Sequence, residues 1–370
     1  MKRIDPLAHL GAALDALDAR GLRRHPRAPQ QPGAISFCSN DYLGLAARTR
    51  IDAPSGAGAS RLVAGERTEH EALEREVASF LGVESCLAFT SGYAANVGAL
   101  SALLEPDDVV ISDALNHASL IDGMRLARVR PVVVPHNDAA AIERALVGSA
   151  RGVRRWVVVE SYYSMDADGP DLGRLRRLCD EHDAALVVDE AHAAGVLGPD
   201  GRGRCAEAGI TPDVLVVTLG KSFGSQGALV GGRAVLREWL WNRARSFVFS
   251  TGLSPASAEA GRAAVARARA EPALRERALR LATRARTKLA AIEGIQPLGF
   301  GHVVPIVLGA PARALAFSKH LAAAGIDLPA IRPPTVPDGT SRLRLTLTAS
   351  HTDDDVDTLV REIAAAARFT

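Results

Sequence analysis

The chain lacks any excess of charge of one sign. In its 370 residues 44 Lys and Arg face 42 Asp and Glu, a formal net charge of +2. Both signs are spread along the whole length, so no nucleic acid or anionic membrane partner is expected, and small molecules are. Cysteine is scarce. Cys38, Cys86, Cys179 and Cys205 lie far apart without C-x-x-C spacing. A disulfide framework and a zinc or other metal site are therefore not expected, whereas reduced thiols and a cytoplasmic setting are. Long apolar runs are also missing, so nothing reaches membrane-spanning length. Leu7, Leu10, Leu14 and Leu17 recur at helical spacing, but Asp5, Asp15 and Asp18 interrupt them. That segment reads as neither a signal peptide nor an anchor.

What is present is a globular composition, 47% hydrophobic, in a chain long enough for a large core and two lobes. From Thr68 to about Ser250, helix-length segments alternate with short apolar runs near 85–89, 108–112, 131–135, 154–160, 185–189, 213–218 and 227–231. This alternation predicts a three-layer α/β domain around a mainly parallel sheet. Thr68 and Glu71 suggest a capping box for a helix that Gly82 ends. The segment 254–293 reads as two long helices split by Pro272, and the remainder as a smaller α+β lobe. The expected division is an N-terminal segment (1–50) packing on the small lobe, a large domain (51–253), and linking helices with the small domain (254–370).

Two short motifs invite a different reading. Gly220-Lys221-Ser222 reproduces the end of a phosphate-binding loop, and Asp189-Glu190-Ala191-His192 spells an acidic helicase box. A phosphate loop, however, needs a glycine five positions before Gly220, where Leu215 stands, and the intervening residues have buried-strand character. The order of the two motifs is also reversed. A nucleotide triphosphatase is not supported.

Ligands of such sheets sit beyond the carboxyl ends of the strands. Asp189, Ser164, Thr218 and Lys221 all follow apolar runs and fall at that edge. A lysine amine, a buried aspartate and a nearby histidine suit pyridoxal phosphate: the amine condenses with the cofactor aldehyde and the carboxylate keeps the ring nitrogen protonated. Gly220, Gly224 and Gly227 suggest a crowded backbone near a ligand. Ser91-Gly92-Tyr93, at a strand-to-helix turn, could seat a phosphate. Taken singly, Asp189 could equally be a helix cap and His192 a satisfied core histidine.

The ordered set SNDYLGLA (39–46), GAGASRLVAGERTEHEALE (56–74), SGYAAN (91–96), SDALNHASLIDGMRL (112–126), YSMDAD (163–168), VDEAHAAGVLGPDGRG (188–203), TLGKSFGSQGALVGG (218–232), FSTGLSP (249–255) and AIRPPTVPDGTSRLRLTLTASHT (330–352) resembles the α-oxoamine synthases, a fold-type-I family of pyridoxal phosphate enzymes. The resemblance implies that Lys221 holds the cofactor and acts as acid and base, that Asp189 pairs with the ring nitrogen, and that His117 stacks on the ring. His192 and Ser164 would approach the phenolic oxygen. Ser91, Gly92, Tyr93 and Thr218 would position ring and phosphate, with Asn96 supporting them. Thr251 would serve the phosphate of a neighbouring subunit, implying a homodimer with shared sites. Arg332 would clamp the amino-acid carboxylate; Thr335, Asn40 and one of Arg23 or Arg24 would meet substrate.

Within the family the chain looks most like the branch that joins L-alanine to a pimeloyl thioester, of CoA or of an acyl carrier protein, in biotin synthesis. A sister synthase using glycine and acetyl-CoA, or a non-catalytic partner subunit, is the alternative. Only ten residues separate Leu45 from Gly56, where the family usually has about a helix more.

Overall fold

The computed structural model of the chain describes residues 5–24, 26, 33–150 and 152–369. They form two compact units: residues 40–280 with 348–350, and the described residues up to 39 with 281–347 and 351–369.

The larger unit is built on a seven-stranded sheet. In spatial order its strands are Ser85–Phe89, Ala228–Gly232, Val214–Thr218, Ala184–Asp189, Arg155–Glu160, Val109–Asp113 and Val132–Val134. Only Ala228–Gly232 runs against the rest. Alternate residues Leu87, Phe89, Val110, Val158, Val187, Val216 and Val230 join one apolar cluster with side chains of the helices Gly92–Leu103 and Ala118–Leu126. The residues between them, such as Ala88, Ile111, Val157, Val188 and Val217, are equally buried. Both faces are therefore covered, which is why these strands read as continuous β-branched runs. The strand Val214–Thr218 is buried throughout, so no phosphate loop precedes Lys221.

Lys221 lies in the turn between the antiparallel strands Val214–Thr218 and Ala228–Gly232, closed by Leu219 N–H donating to Gly227 O at 2.9 Å and Gly224 N–H donating to Lys221 O at 2.9 Å. Two of its glycines, Gly224 and Gly227, answer to protein packing. Gly224 has φ +58° and a Cβ there would lie 2.3 Å from Ala46 N; Gly227 has φ +107° and would meet Leu253 and Phe89 O. Gly220 has more room, its nearest neighbours being at 3.7 Å.

The helix Thr68–Leu81 ends at Gly82, in the left-handed conformation with φ 72°. Its start differs from the expected box: Thr68 is already helical, and Arg67 N–H donates to His70 Nδ1 at 3.2 Å. Residues 46–55 contain no helix, and at their start Asp41 accepts from Leu45 and Ala46 N–H.

The smaller unit pairs Ala330–Ile331, Ser341–Thr346 and Val303–Gly309 as an antiparallel sheet, with Ile35–Ser36 parallel to Ile326–Asp327. Phe37, Leu289, Ile306, Phe317, Leu343 and Ile363 lie in its core. The helix His9–Ala19 has no buried residue, and Leu10, Leu14 and Leu17 stay exposed.

The unit boundaries depart from those read in the sequence. Residues 40–50 and 254–280 cluster with the large unit. The reason is that helix Pro255–Ala270 packs along Thr68–Leu81 and buries small residues, Ala258, Gly261 and Ala264, that composition alone marks only by their size. The second boundary falls inside helix Pro272–Ala290, between Arg280 and Leu281.

Gly224→Ala should lower unfolding free energy by roughly 1–3 kcal/mol, since a methyl must displace backbone and adopt positive φ. Gly220→Ala should cost far less. Urea unfolding of both variants checks this; equal midpoints would contradict the packing role.

Candidate active site

Asp189 ends the central strand and is buried, in register with Glu160 on the neighbouring strand. Its Oδ2 accepts from Asn96 Nδ2 at 2.7 Å and its Oδ1 from Ala191 N–H at 2.8 Å. Among the described residues no Lys, Arg or His forms an ion pair with it. A buried carboxylate with two neutral donors and no cation is an electrostatic demand on whatever occupies the site.

Asn96 Nδ2 also donates to Ser119 Oγ at 2.9 Å. Ser119 Oγ lies 2.7 Å from His117 Nδ1, and Ser119 N–H donates to the same nitrogen at 3.2 Å. This pattern assigns the His117 proton to Nε2. Burial lowers its pKa below the ordinary value; the charge of Asp189 opposes this and that of Lys221 adds to it. His117 is thus a neutral imidazole at pH 7, standing at the N-terminus of helix Ala118–Leu126. Glu160 Oε1 accepts from His117 N–H at 2.7 Å.

A second hydrogen-bonded chain begins at the lysine. Lys221 Nζ lies 2.7 Å from His192 Nε2, His192 Nδ1 lies 2.7 Å from Tyr42 Oη, and Tyr42 O–H donates to Asn40 Oδ1 at 3.0 Å. With Tyr42 donating to Asn40, its oxygen accepts from His192 Nδ1–H. His192 Nε2 is then an acceptor for the lysine amine.

Ser91 caps helix Gly92–Leu103, its Oγ accepting from Ala94 N–H at 3.1 Å. A Cβ on Gly92 would approach Thr218 Oγ1 at 3.6 Å, so that strand end and helix start adjoin. Thr218 O–H donates to Gly227 O, and Thr218 Oγ1 accepts from Gly220 N–H. Tyr93 is half exposed and donates to Asp122 Oδ2 at 2.7 Å. Thr251 is exposed and outside the hydrogen-bonded cluster. Ser164 lies in the turn closed by the Tyr163–Asp168 bridge.

That turn is held by a histidine the sequence did not single out. His136 Nδ1 lies 2.9 Å from Asp113 Oδ1 and its Nε2 3.1 Å from Asp168 Oδ1. Burial opposes its protonation, but the hydrogen bonds to Asp113 and Asp168 outweigh this and push its pKa up to about 10.

The remaining expected residues lie in the smaller unit. Arg24 donates to Thr335 Oγ1 at 2.8 Å, whereas Arg23 pairs with the exposed Asp18 at 2.6 Å. An Arg332 N–H donates to Gly21 O. Three further residues, Tyr42, Ser119 and Glu160, belong to the large-unit site. Tyr42 sits inside a motif that was recognised; the other two are ordinary polar residues whose partners lie up to 43 positions away.

The donor set fits pyridoxal phosphate. The cation-free Asp189 matches a protonated ring nitrogen, Lys221 offers an amine, and the buried Asn96 Oδ1 has no protein partner. Fold and site together thus define a fold-type-I pyridoxal phosphate enzyme. The comparisons agree. The family model for class I and II aminotransferases matches residues 32–363. The 8-amino-7-oxononanoate synthase of Anaeromyxobacter dehalogenans (strain 2CP-1 / ATCC BAA-258) is 44% identical over 377 aligned positions, covering 96% of this chain and 94% of that protein. Sphingomonas wittichii serine palmitoyltransferase superposes with a TM-score of 0.90 at 27% identity, covering 99% of both chains. A serine palmitoyltransferase structure with a PLP internal aldimine gives 0.90 at 26%, again with 99% of both chains covered. The chain belongs to the class I and II aminotransferase family.

Because the His136 pKa is raised on folding, its stabilisation is complete below the unfolded value of 6.5 and is lost as pH rises through about 10. Urea midpoints of the wild type should therefore fall across that window more steeply than those of His136→Asn. Parallel pH profiles would contradict the ion-pair role.

Proposed function

We propose that the chain catalyses the decarboxylative condensation of L-alanine with a pimeloyl thioester, of CoA or a carrier protein, giving 8-amino-7-oxononanoate, the free thiol carrier and carbon dioxide. The carrying observation is the buried, cation-free Asp189 in one unit with the Lys221–His192 pair. The choice of substrates is supported by the 44% identity to a protein of that name.

Bound pyridoxal phosphate supplies a carbonyl that takes the amino group of alanine and a protonated ring that accepts the electron pair left at the α-carbon. Lys221 Nζ removes the α-proton and later returns one. His192 Nε2, accepting from that amine, fixes its direction. Asp189 would hold the ring nitrogen, where a carboxylate favours the protonated form. Neutral His117 would offer a flat face to the ring and an Nε2–H to the thioester oxygen. Ser91, Gly92 and Thr218 would hold the phosphate at a helix N-terminus, and Ser164 the phenolic oxygen.

In the small unit Arg332 takes the alanine carboxylate, for which its forked donors suit a bidentate pair. Arg24 and not Arg23 serves the acyl substrate, because it already adjoins Thr335. We further infer a homodimer in which Thr251 serves the partner's phosphate. Its exposure, and that of Phe249 and Val63, supports this. Four free cysteines and a thioester substrate support a cytoplasmic setting. No helix among the described residues is long and apolar enough to cross a membrane.

Paired assays test the reading. Alanine with pimeloyl-CoA should release carbon dioxide and 8-amino-7-oxononanoate, and Lys221→Ala should abolish both. Faster turnover of glycine with acetyl-CoA would assign the chain to the sister reaction; no turnover of either pair by protein loaded with cofactor would overturn the enzymatic reading.

A further inference from the structure

Glu160 is a carboxyl that the proposed reaction does not use, and it stands in the middle of the site. It ends the strand Arg155–Glu160, is 6% exposed, and accepts from the His117 backbone N–H at 2.7 Å. That N–H precedes helix Ala118–Leu126 and has no helical carbonyl to serve. Among the described residues no cation pairs with Glu160. Its own N–H faces Tyr163 Oη at 3.2 Å, and Tyr163 O–H in turn donates to Asn116 Oδ1 at 3.2 Å. Asn116 Nδ2 donates to Val158 O and to Ser112 Oγ, so the turn leading to His117 is tied to two strands.

We propose that Glu160 is a positioning residue that fixes the His117 imidazole by gripping its backbone from the neighbouring strand. The grip complements the one on the ring, where Ser119 and Asn96 fix Nδ1. One side chain thus has its backbone and its ring held from different elements, which defines the plane in which the imidazole lies. The carboxyl does this as a neutral group. Burial and the charge of Asp189 push its pKa up to about 8, with Asp113 adding to them and Lys221 and the His117 N–H opposing. Tyr163, packed on the same strand end, keeps its own proton because burial and Asp113 raise its pKa far above neutrality.

This inference rests on the role of His117 given above, so its test is read first without turnover. In purified protein labelled with 15N-histidine, the His117 amide proton should resonate downfield, stay there in Glu160→Gln, and move upfield in Glu160→Ala. The wild-type signal should also step near pH 8 as Glu160 ionises, and Glu160→Gln should lack the step. Should the alanine variant not fold, this titration alone decides. In turnover, Glu160→Ala should lose on the order of ten- to a hundredfold in kcat with little change in the KM for alanine, and glutamine should restore most of it. Identical amide shifts and titrations in wild type and variants would overturn the positioning role. Amide shifts as expected with no turnover in any protein would instead count against the proposed reaction.

Discussion

A carboxylate buried without a cation is the constraint on which the large unit is arranged. Asp189 has two neutral donors and no ion-pair partner among the described residues, and a buried carboxylate is costly unless it is hydrogen-bonded or paired. Such an arrangement persists where a positive group is expected to arrive. The same feature would suit a ligand that brings a cationic ring edge to the strand end, as pyridoxal phosphate would.

Two hydrogen-bonded chains extend from this point and divide the work. One runs from Asp189 through Asn96 and Ser119 to His117 and fixes a neutral aromatic ring. The other runs from Lys221 through His192 and Tyr42 to Asn40 and fixes an amine. Each crosses between sequence-distant elements, so the sheet acts as the template that keeps them in register. The ion pairs around His136 do the same for the turn carrying Ser164, which follows the strand beside that of Asp189.

Much of the fold was legible because its strands are buried on both faces. The run Val157-Val158-Val159 announces a central strand whatever its neighbours, and Pro272 marks a helix break by its chemistry alone. The anchor residues Lys221, Asp189 and His192 could be read from their places after such runs and from the family's motifs. What escaped depends on distant contacts. Glu160 looks like any polar strand end until His117 is folded against it, and Ser119 like any first-turn serine. The unit boundary at 280/281 lies within one helix and leaves no compositional mark. The packing role of Gly224 beside Lys221 was not legible, because only the fold brings Ala46 against it.

The central claim is that the Asp189 charge exists to hold a proton on the cofactor ring. Asp189→Asn keeps the shape and removes the charge, so the variant should still bind pyridoxal phosphate and show its absorbance. Exchange of the alanine α-proton for deuterium, followed by NMR in the holoenzyme, should nevertheless fall on the order of a hundredfold or more. Exchange at the wild-type rate in a cofactor-loaded Asp189→Asn protein would contradict the account.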